Sequence, residues 1–310
     1  MMESLRAKLA TQVFRSWPTY IGLHRLPRVL GVPTPPREFV TRELSGFPLK
    51  LKFRADTYMG QFLFHRGMYE EGVVEKLRSL LKPGMTFVDV GANAGLYAVI
   101  GAHLVGDSGR VIAFEPQEDL AELVRENTRL NHLENVHVET CALGAREGQA
   151  TLFQVSRSND GQATTRVRPS ERCFGDTVNV RLTRLTSALS SLGVDVVDGL
   201  KIDTEGAELE VLKGFLDGWT GERPRFILFE CIAEHLARFG QTTEEFIQFL
   251  RGREYELRCL FRGRWHLVRT ANDHVRCRHS SDMLALDLRR TRREQKTTEQ
   301  RRDWQREMAE

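Results

Sequence analysis

Residues 86–95 read TFVDVGANAG. Phe87, Val88 and Val90 form a short apolar run that carries one acid, Asp89. The run ends at Gly91 and Gly95, the pattern of a buried parallel strand entering a tight turn. Leu96, Val99, Ile100, His103 and Leu104 then recur at helical spacing, so the glycines lie between the carboxyl end of a strand and the amino end of a helix. In an open α/β sheet that junction is where ligands bind.

The turn restricts the ligand. Glycine lets the backbone approach closely, and the free N–H groups at a helix start favour negative charge. Diphosphate loops carry three glycines as G-x-G-x-x-G, whereas Gly91-Ala92-Asn93-Ala94-Gly95 is G-x-x-x-G with a carboxylate two residues before it. That carboxylate suits a ligand with a cationic amino group and a carboxylate of its own, such as the methionine end of S-adenosylmethionine. Asp89, Gly91, Ala92, Asn93 and Gly95 are therefore candidate cofactor-binding residues, against the competing reading of a tight turn with no ligand.

Downstream, strands and helices alternate in the manner of a parallel sheet with crossover helices. RVIAFE, residues 110–115, is the second strand and puts Glu115-Pro116 at its carboxyl end, where an acid can accept both ribose hydroxyls of a nucleoside. The same carboxylate can cap the next helix, with proline in its first turn. The third strand, Val136 to Thr140, ends at Cys141-Ala142-Leu143-Gly144, and Ala142 and Leu143 either flank an adenine ring or belong to the core.

The fourth strand, Val196 to Asp203, delivers Asp203, Thr204 and Glu205 to the same edge, and the fifth, Arg225 to Glu230, delivers Glu230. Asp203 is the candidate general base, with Glu205 and Glu230 as further catalytic candidates; a divalent metal and plain helix capping by Asp203 or Thr204 are the competing roles. YELRCLF, a GR turn and SSDMLALDL supply a closing antiparallel pair. His235, His266, His274 and His279 share no metal-ligand spacing and read as surface residues, so no metal site is assigned.

Around this sheet the chain divides at residues 80 and 288. Residues 1–80 read as a helical and hairpin appendage, in which Leu5, Leu9, Val13, Phe14 and Trp17 share a helical face. The first thirty residues hold five Lys/Arg against one acid, which admits docking on anionic lipid as well as packing on the protein itself. Prolines 27, 33, 35 and 36 then mark a linker, and PLKLKFRAD alternates like a strand. The loop SRSNDGQATTR, residues 156–166, interrupts a hairpin between the third and fourth strands, and its Asn159, Asp160 and Thr164 are candidates for binding a polyol. The formal charge of +3 resides in residues 289–310, which read as a solvated helical or disordered tail, so the folded part lacks the basic footprint of a nucleic-acid binder. Five widely spaced cysteines with no C-x-x-C pair argue against a disulfide framework and a zinc site, and for a reducing compartment.

DVGANAG, FEP, the N-x-x-x-N of Asn127 and Asn131 before NV, ALG, and LKIDTEGAELEVLKG occur here in that order. Together they resemble the FkbM family of S-adenosylmethionine-dependent methyltransferases over residues 65–288. The resemblance implies a class I methyltransferase fold, α/β and Rossmann-like, with a doubly wound seven-stranded sheet whose last strand is antiparallel. It also implies S-adenosylmethionine as cofactor and O-methylation of a hydroxyl on a sugar, glycolipid or natural product. Thr204, where many members carry an aliphatic residue, and the loop at 156–166 depart from the pattern, which leaves substrate choice open. The alternatives are a nicotinamide-dependent oxidoreductase, disfavoured by the missing third glycine and the absence of a Tyr-x-x-x-Lys pair, and a non-catalytic binding module, disfavoured by the intact acids. The expected location is cytoplasmic, with peripheral contact at the inner face of the membrane where the N-terminal helix docks, and no nucleic-acid partner.

Overall fold

The computed structural model describes residues 38–41, 43–55, 57–155, 163–168, 171–276 and 282–290. Four expectations fall outside them: the N-terminal amphipathic helix, the proline linker, the polyol contacts of Asn159 and Asp160, and the tail beyond Arg290.

A hairpin of β1 (Glu38–Val40) and β2 (Lys52–Arg54) leads into α1 (Tyr58–Arg66) and α2 (Glu71–Leu80). Then come β3 (Thr86–Val90), α3 (Leu96–Val105), β4 (Arg110–Phe114), α4 (Glu118–Leu130) and β5 (Val136–Glu139). A smaller sheet in the order β6-β9-β7-β8 is made by β6 (Ala142–Leu143), β7 (Gly148–Gln154), β8 (Ala163–Thr164) and β9 (Val178–Thr183). After α5 (Leu185–Ser191) the chain re-enters the main sheet with β10 (Gly199–Ile202), α6 (Glu208–Leu216), β11 (Phe226–Glu230), α7 (Ala233–Leu236) and α8 (Thr243–Arg251). It ends with β12 (Tyr255–Phe261), β13 (Arg264–Val268), α9 (Ala271–Arg276) and β14 (Asp282–Asp287).

The main sheet runs β13-β12-β14-β11-β10-β3-β4-β5. The five strands from β11 to β5 are parallel, and β14, β12 and β13 pair antiparallel. This is the expected doubly wound α/β sheet of a class I methyltransferase, and its order reverses between β3 and β10, the switch point where ligands bind. It has eight strands where the resemblance implied seven. The turn at Arg262-Gly263, with φ of 50° and 73°, folds RWHLV back onto β12 as an edge strand. The mostly exposed pattern of that strand gave no apolar alternation to read.

Period-two alternation sorts the core onto two faces. Val88, Val90, Ile112, Phe114, Leu200 and Ile202 face one cluster with Leu209, Leu212 and Phe215 of α6. Phe87, Val111, Ala113, Phe226 and Leu228 face the other, which α3 fills and which also contains Phe53, Leu63 and Leu77 of the N-terminal hairpin and helices. On that second face one charged pair stands in register among apolar neighbours, Asp89 opposite Lys201.

The N-x-x-x-N signature has a structural role. Asn127 is fully buried; its Oδ1 accepts from Lys52 N at 2.6 Å and its Nδ2 donates to Lys52 O at 2.9 Å and Ala94 O at 2.7 Å. Asn131 repeats the exchange with Lys50 N and O, at 2.7 Å each. The two amides act as a strand partner for residues 50–52, joining the hairpin to α4 and to the glycine turn. Among the cysteines, Cys141, Cys173 and Cys231 are free and Cys259 is disulfide-bonded, which runs against the expectation of a chain without disulfides in a reducing compartment.

Candidate active site

The carboxyl ends of β3, β4, β10 and β11 open onto a cleft of about 400 Å³. Gly91 has φ of +80°, and a Cβ there would stand 1.8 Å from the Asp203 carbonyl oxygen, so only glycine lets the β3 turn pass the β10 turn. The N–H groups of Gly91 and Ala92 donate to Phe114 O, and that of Asn93 donates to Glu115 Oε2 at 2.9 Å. The β3 turn is thereby fastened to the end of β4.

Gly91, Ala92, Asn93, Glu115, Pro116, Ala142, Leu143, Asp203, Glu205 and Glu230 all line this one cleft. Asp89 and Gly95 do not. Gly95 starts α3 at φ +83° and packs on Val124, and Asp89 is wholly buried behind the wall. Neither Asp89 oxygen has a well-formed hydrogen bond. Burial pushes its carboxyl up to about 6, against the pull of the Lys201 charge. Its direct contact with a ligand, expected from the sequence, is replaced by a charge held beneath the cleft floor.

Glu115 Oε1 accepts from Gln117 N at 3.0 Å while Oε2 holds Asn93. Glu115 thus braces the turn ahead of α4 without capping the helix, and each of its carboxylate oxygens keeps a second lone pair. Its carboxyl is only 4% exposed and is pushed up to about 7 by burial, with the two backbone N–H groups opposing.

The opposite wall is crowded with acids. Asp203 Oδ2 accepts from Lys201 Nζ at 3.1 Å, and that ammonium lies 4.4 Å over the Tyr97 ring. Burial opposes the Lys201 charge, but Asp203, Asp89 and Glu70 outweigh it and hold the ammonium above its ordinary range. Glu70, in the left-handed region at φ 50°, accepts from Tyr97 OH and is pushed up to about 7 by burial. Glu205, at φ 55°, is pushed up to about 9, first by burial and then by Asp203, Glu230 and Glu208.

The cap proposed for Asp203 or Thr204 is not made: α6 starts after Ala207 with no side-chain cap. Glu208 Oε1 accepts from Thr204 N, Thr204 Oγ1 and Gly206 N at 2.8, 3.1 and 3.1 Å, and neither Asp203 nor Thr204 caps α6. The surface reading of His235 also fails: its side chain is 17% exposed, and it lines the cleft 3.2 Å from Glu205 Oε2 and 3.7 Å from Glu230 Oε2. Lys201, Tyr97, Tyr69, Glu70 and His235 all line the cleft without having been singled out as site residues. The β10 register, which places Lys201 opposite Asp89, was the signal that could have found Lys201.

A family model, that of the methyltransferase FkbM domain, matches residues 89–257. Methyltransferase 1 of Beauveria bassiana (strain ARSEF 2860) is 27% identical over 145 residues, covering 42% of this chain and 58% of that protein. Methyltransferase sdnD of Sordaria araneosa is 31% identical over 153 residues, covering 41% and 59%. The chain thus spans a little under three fifths of the curated relatives it matches. Among solved structures, an S-adenosylmethionine-dependent methyltransferase from Aquifex aeolicus aligns over 70% of this chain and 89% of its own, at 18% identity and a TM-score of 0.38. An O-methyltransferase from Bacillus cereus in complex with S-adenosylhomocysteine aligns over 70% and 81%, at 12% identity and a TM-score of 0.40.

Proposed function

The chain belongs to the methyltransferase FkbM domain family, and we propose that it uses S-adenosylmethionine to methylate a hydroxyl of a small polar acceptor such as a sugar, glycolipid or natural product. The observation that carries this reading is that one cleft holds both kinds of group: Glu115 at the end of β4, and Asp203, Glu205, Glu230 and His235 from the β10 and β11 ends, all line it. The residues fit the cofactor. Glu115 has lone pairs to spare for two ribose hydroxyls, Ala142 and Leu143 offer apolar surface for a base, and a wall richer in carboxylates than in cations suits a sulfonium.

Bound there, S-adenosylmethionine supplies an already activated methyl group. The protein must align the acceptor oxygen with that carbon and relieve the hydroxyl of its proton, contributions worth several kcal/mol and roughly 10²- to 10⁴-fold in rate. Asp203 is the residue for the proton: its side chain is 36% exposed in the cleft, and Lys201 orients Oδ2 and leaves Oδ1 for the acceptor. Glu205, two residues on in the same turn, serves as an orienting group. Tyr58, Met59 and Tyr69, from the segment read as an appendage, line the same cleft and would meet the acceptor. No helix among the described residues is long and apolar enough to cross a membrane; the peripheral docking proposed for residues 3–17 lies outside the described part, and the disulfide at Cys259 weighs against a reducing location.

Asp203→Asn tests the reading, with labelled methyl transfer to a panel of sugar and glycolipid hydroxyls. Turnover is expected to fall roughly 10²- to 10⁴-fold with S-adenosylhomocysteine affinity and melting temperature nearly unchanged. Full turnover in the variant would remove Asp203 from the chemistry, and cofactor binding without transfer to any acceptor would favour the binding-module alternative.

A further inference from the structure

Glu205 follows β10, Glu230 ends β11 and His235 lies in α7, so three elements aim three donors at one point. One ligand atom from each lies within 4.8 Å of the others. His235 Nδ1 stands 3.2 Å from Glu205 Oε2 and 3.7 Å from Glu230 Oε2. Two donors that each lie about 2.1 Å from a common ion are about 3.0 Å apart at a right angle and about 3.4 Å apart at a tetrahedral one. The 3.2 Å separation falls between these values, and 3.7 Å lies a few tenths of an ångström above them.

The donors are also unspent. Glu205 Oε2 and His235 Nδ1 are shut off from solvent, yet neither makes a well-formed hydrogen bond, even to the other. The nearby cations are committed elsewhere. Arg238 donates Nε to Glu171 Oε1 at 2.9 Å and NH1 to the Glu205 carbonyl at 3.0 Å, leaving Oε2 3.9 Å away, and Lys201 holds Asp203. Such buried, facing acceptors call for a cation between them.

We propose that Glu205, Glu230 and His235 bind one divalent transition-metal ion at the acceptor end of the cleft. One imidazole nitrogen with two carboxylates suits Mn²⁺, Fe²⁺ or Zn²⁺ better than Ca²⁺ or Mg²⁺, which favour all-oxygen shells. Three protein ligands leave positions open toward the cleft, where an acceptor hydroxyl can coordinate and lose its proton to Asp203 more readily. This role rests on the methyltransferase reading above; the metal site itself does not.

The experiment uses chelator-stripped protein titrated with Mn²⁺, followed by electron paramagnetic resonance. One tightly bound Mn²⁺ per chain is expected, with nitrogen hyperfine coupling from an imidazole in the wild type. His235→Ala should abolish that coupling and, like Glu230→Gln, weaken binding at least 10-fold. No stoichiometric binding, an all-oxygen shell, or binding indifferent to His235→Ala would overturn the site. The wild-type spectrum requires no variant, so a poorly folding variant does not remove the test. Full methyl transfer by stripped protein would cancel the metal's role and leave the methyltransferase reading intact. Nitrogen-ligated Mn²⁺ with no transfer to any acceptor would keep the site and refute the reading.

Discussion

Glu115 gives the sharpest test of the cofactor end of the cleft, because its burial makes opposite demands on stability and on binding. Its carboxyl rises from 4.5 to about 7 in the folded chain. Between those values the folded protein keeps a proton that the unfolded chain has lost, so stability falls as pH rises and levels off above about 7. For a group 4% exposed, the full cost of ionisation is about 3 kcal/mol. Glu115→Gln cannot titrate. Its single amide oxygen can serve only one of the Asn93 and Gln117 N–H groups, and the orphaned donor costs about 1 to 3 kcal/mol at every pH. The variant should therefore be less stable than wild type at pH 4.5 and should close or reverse that gap by pH 8, a relative change of about 3 kcal/mol in urea unfolding. S-adenosylhomocysteine affinity should move the other way, rising with pH in the wild type as the carboxylate ionises and staying flat and about 1 to 3 kcal/mol weaker in the variant. Parallel stability curves for the two proteins would refute the burial argument, and equal affinities by calorimetry would remove Glu115 from the ligand.

Gly91→Ala places a Cβ against the Asp203 carbonyl, and a loss of more than about 3 kcal/mol in denaturant unfolding, or no folded protein, is expected. Asn127→Ala strips partners from Lys52 N, Lys52 O and Ala94 O and should cost about 2 to 4 kcal/mol, with hydrogen exchange accelerating in residues 50–54 before it does in β4. Lys201→Met leaves Asp89 and Asp203 without their cation and should cost about 3 to 5 kcal/mol at pH 8 but much less at pH 5, where the buried Asp89 carboxyl takes up a proton; equal losses at both values would argue against the charge cluster.

The fold was legible because its signals are local. A buried strand, a glycine turn and an amphipathic helix each declare themselves within about ten residues, and Gly91 is required by a backbone contact that no other residue tolerates. The eighth strand was not legible, since an exposed edge strand such as β13 shows no alternation. The Asn127 and Asn131 pair was visible as a motif but mute as to role: its partners are backbone groups 75 and 81 residues away, and backbone leaves no mark in a sequence.

The same distinction explains the site. Residues at strand ends were placed correctly in the cleft, because a parallel sheet brings every carboxyl end to one edge regardless of loop length. Asp89 was misplaced by a single pleat. Its neighbours Val88 and Val90 face α6 while Asp89 points to the α3 side, into the floor, and only the register with Lys201 reveals why a charge is stable there. His235 escaped for the opposite reason. It lies five residues beyond Glu230 in a four-residue helix, so no helical or strand spacing links it to either acid, and spacing among the histidines alone leaves out the two glutamates beside it. What brings it to Glu205 is the β10 turn, which Glu208 holds by binding Thr204 N and Gly206 N and which thereby turns Glu205 toward α7. In DTEG-A-E, residues 203–208, the second glutamate thus fixes the loop and the first is left to the chemistry, and two identical side chains three residues apart carry different work because only one of them spends its oxygens on the backbone.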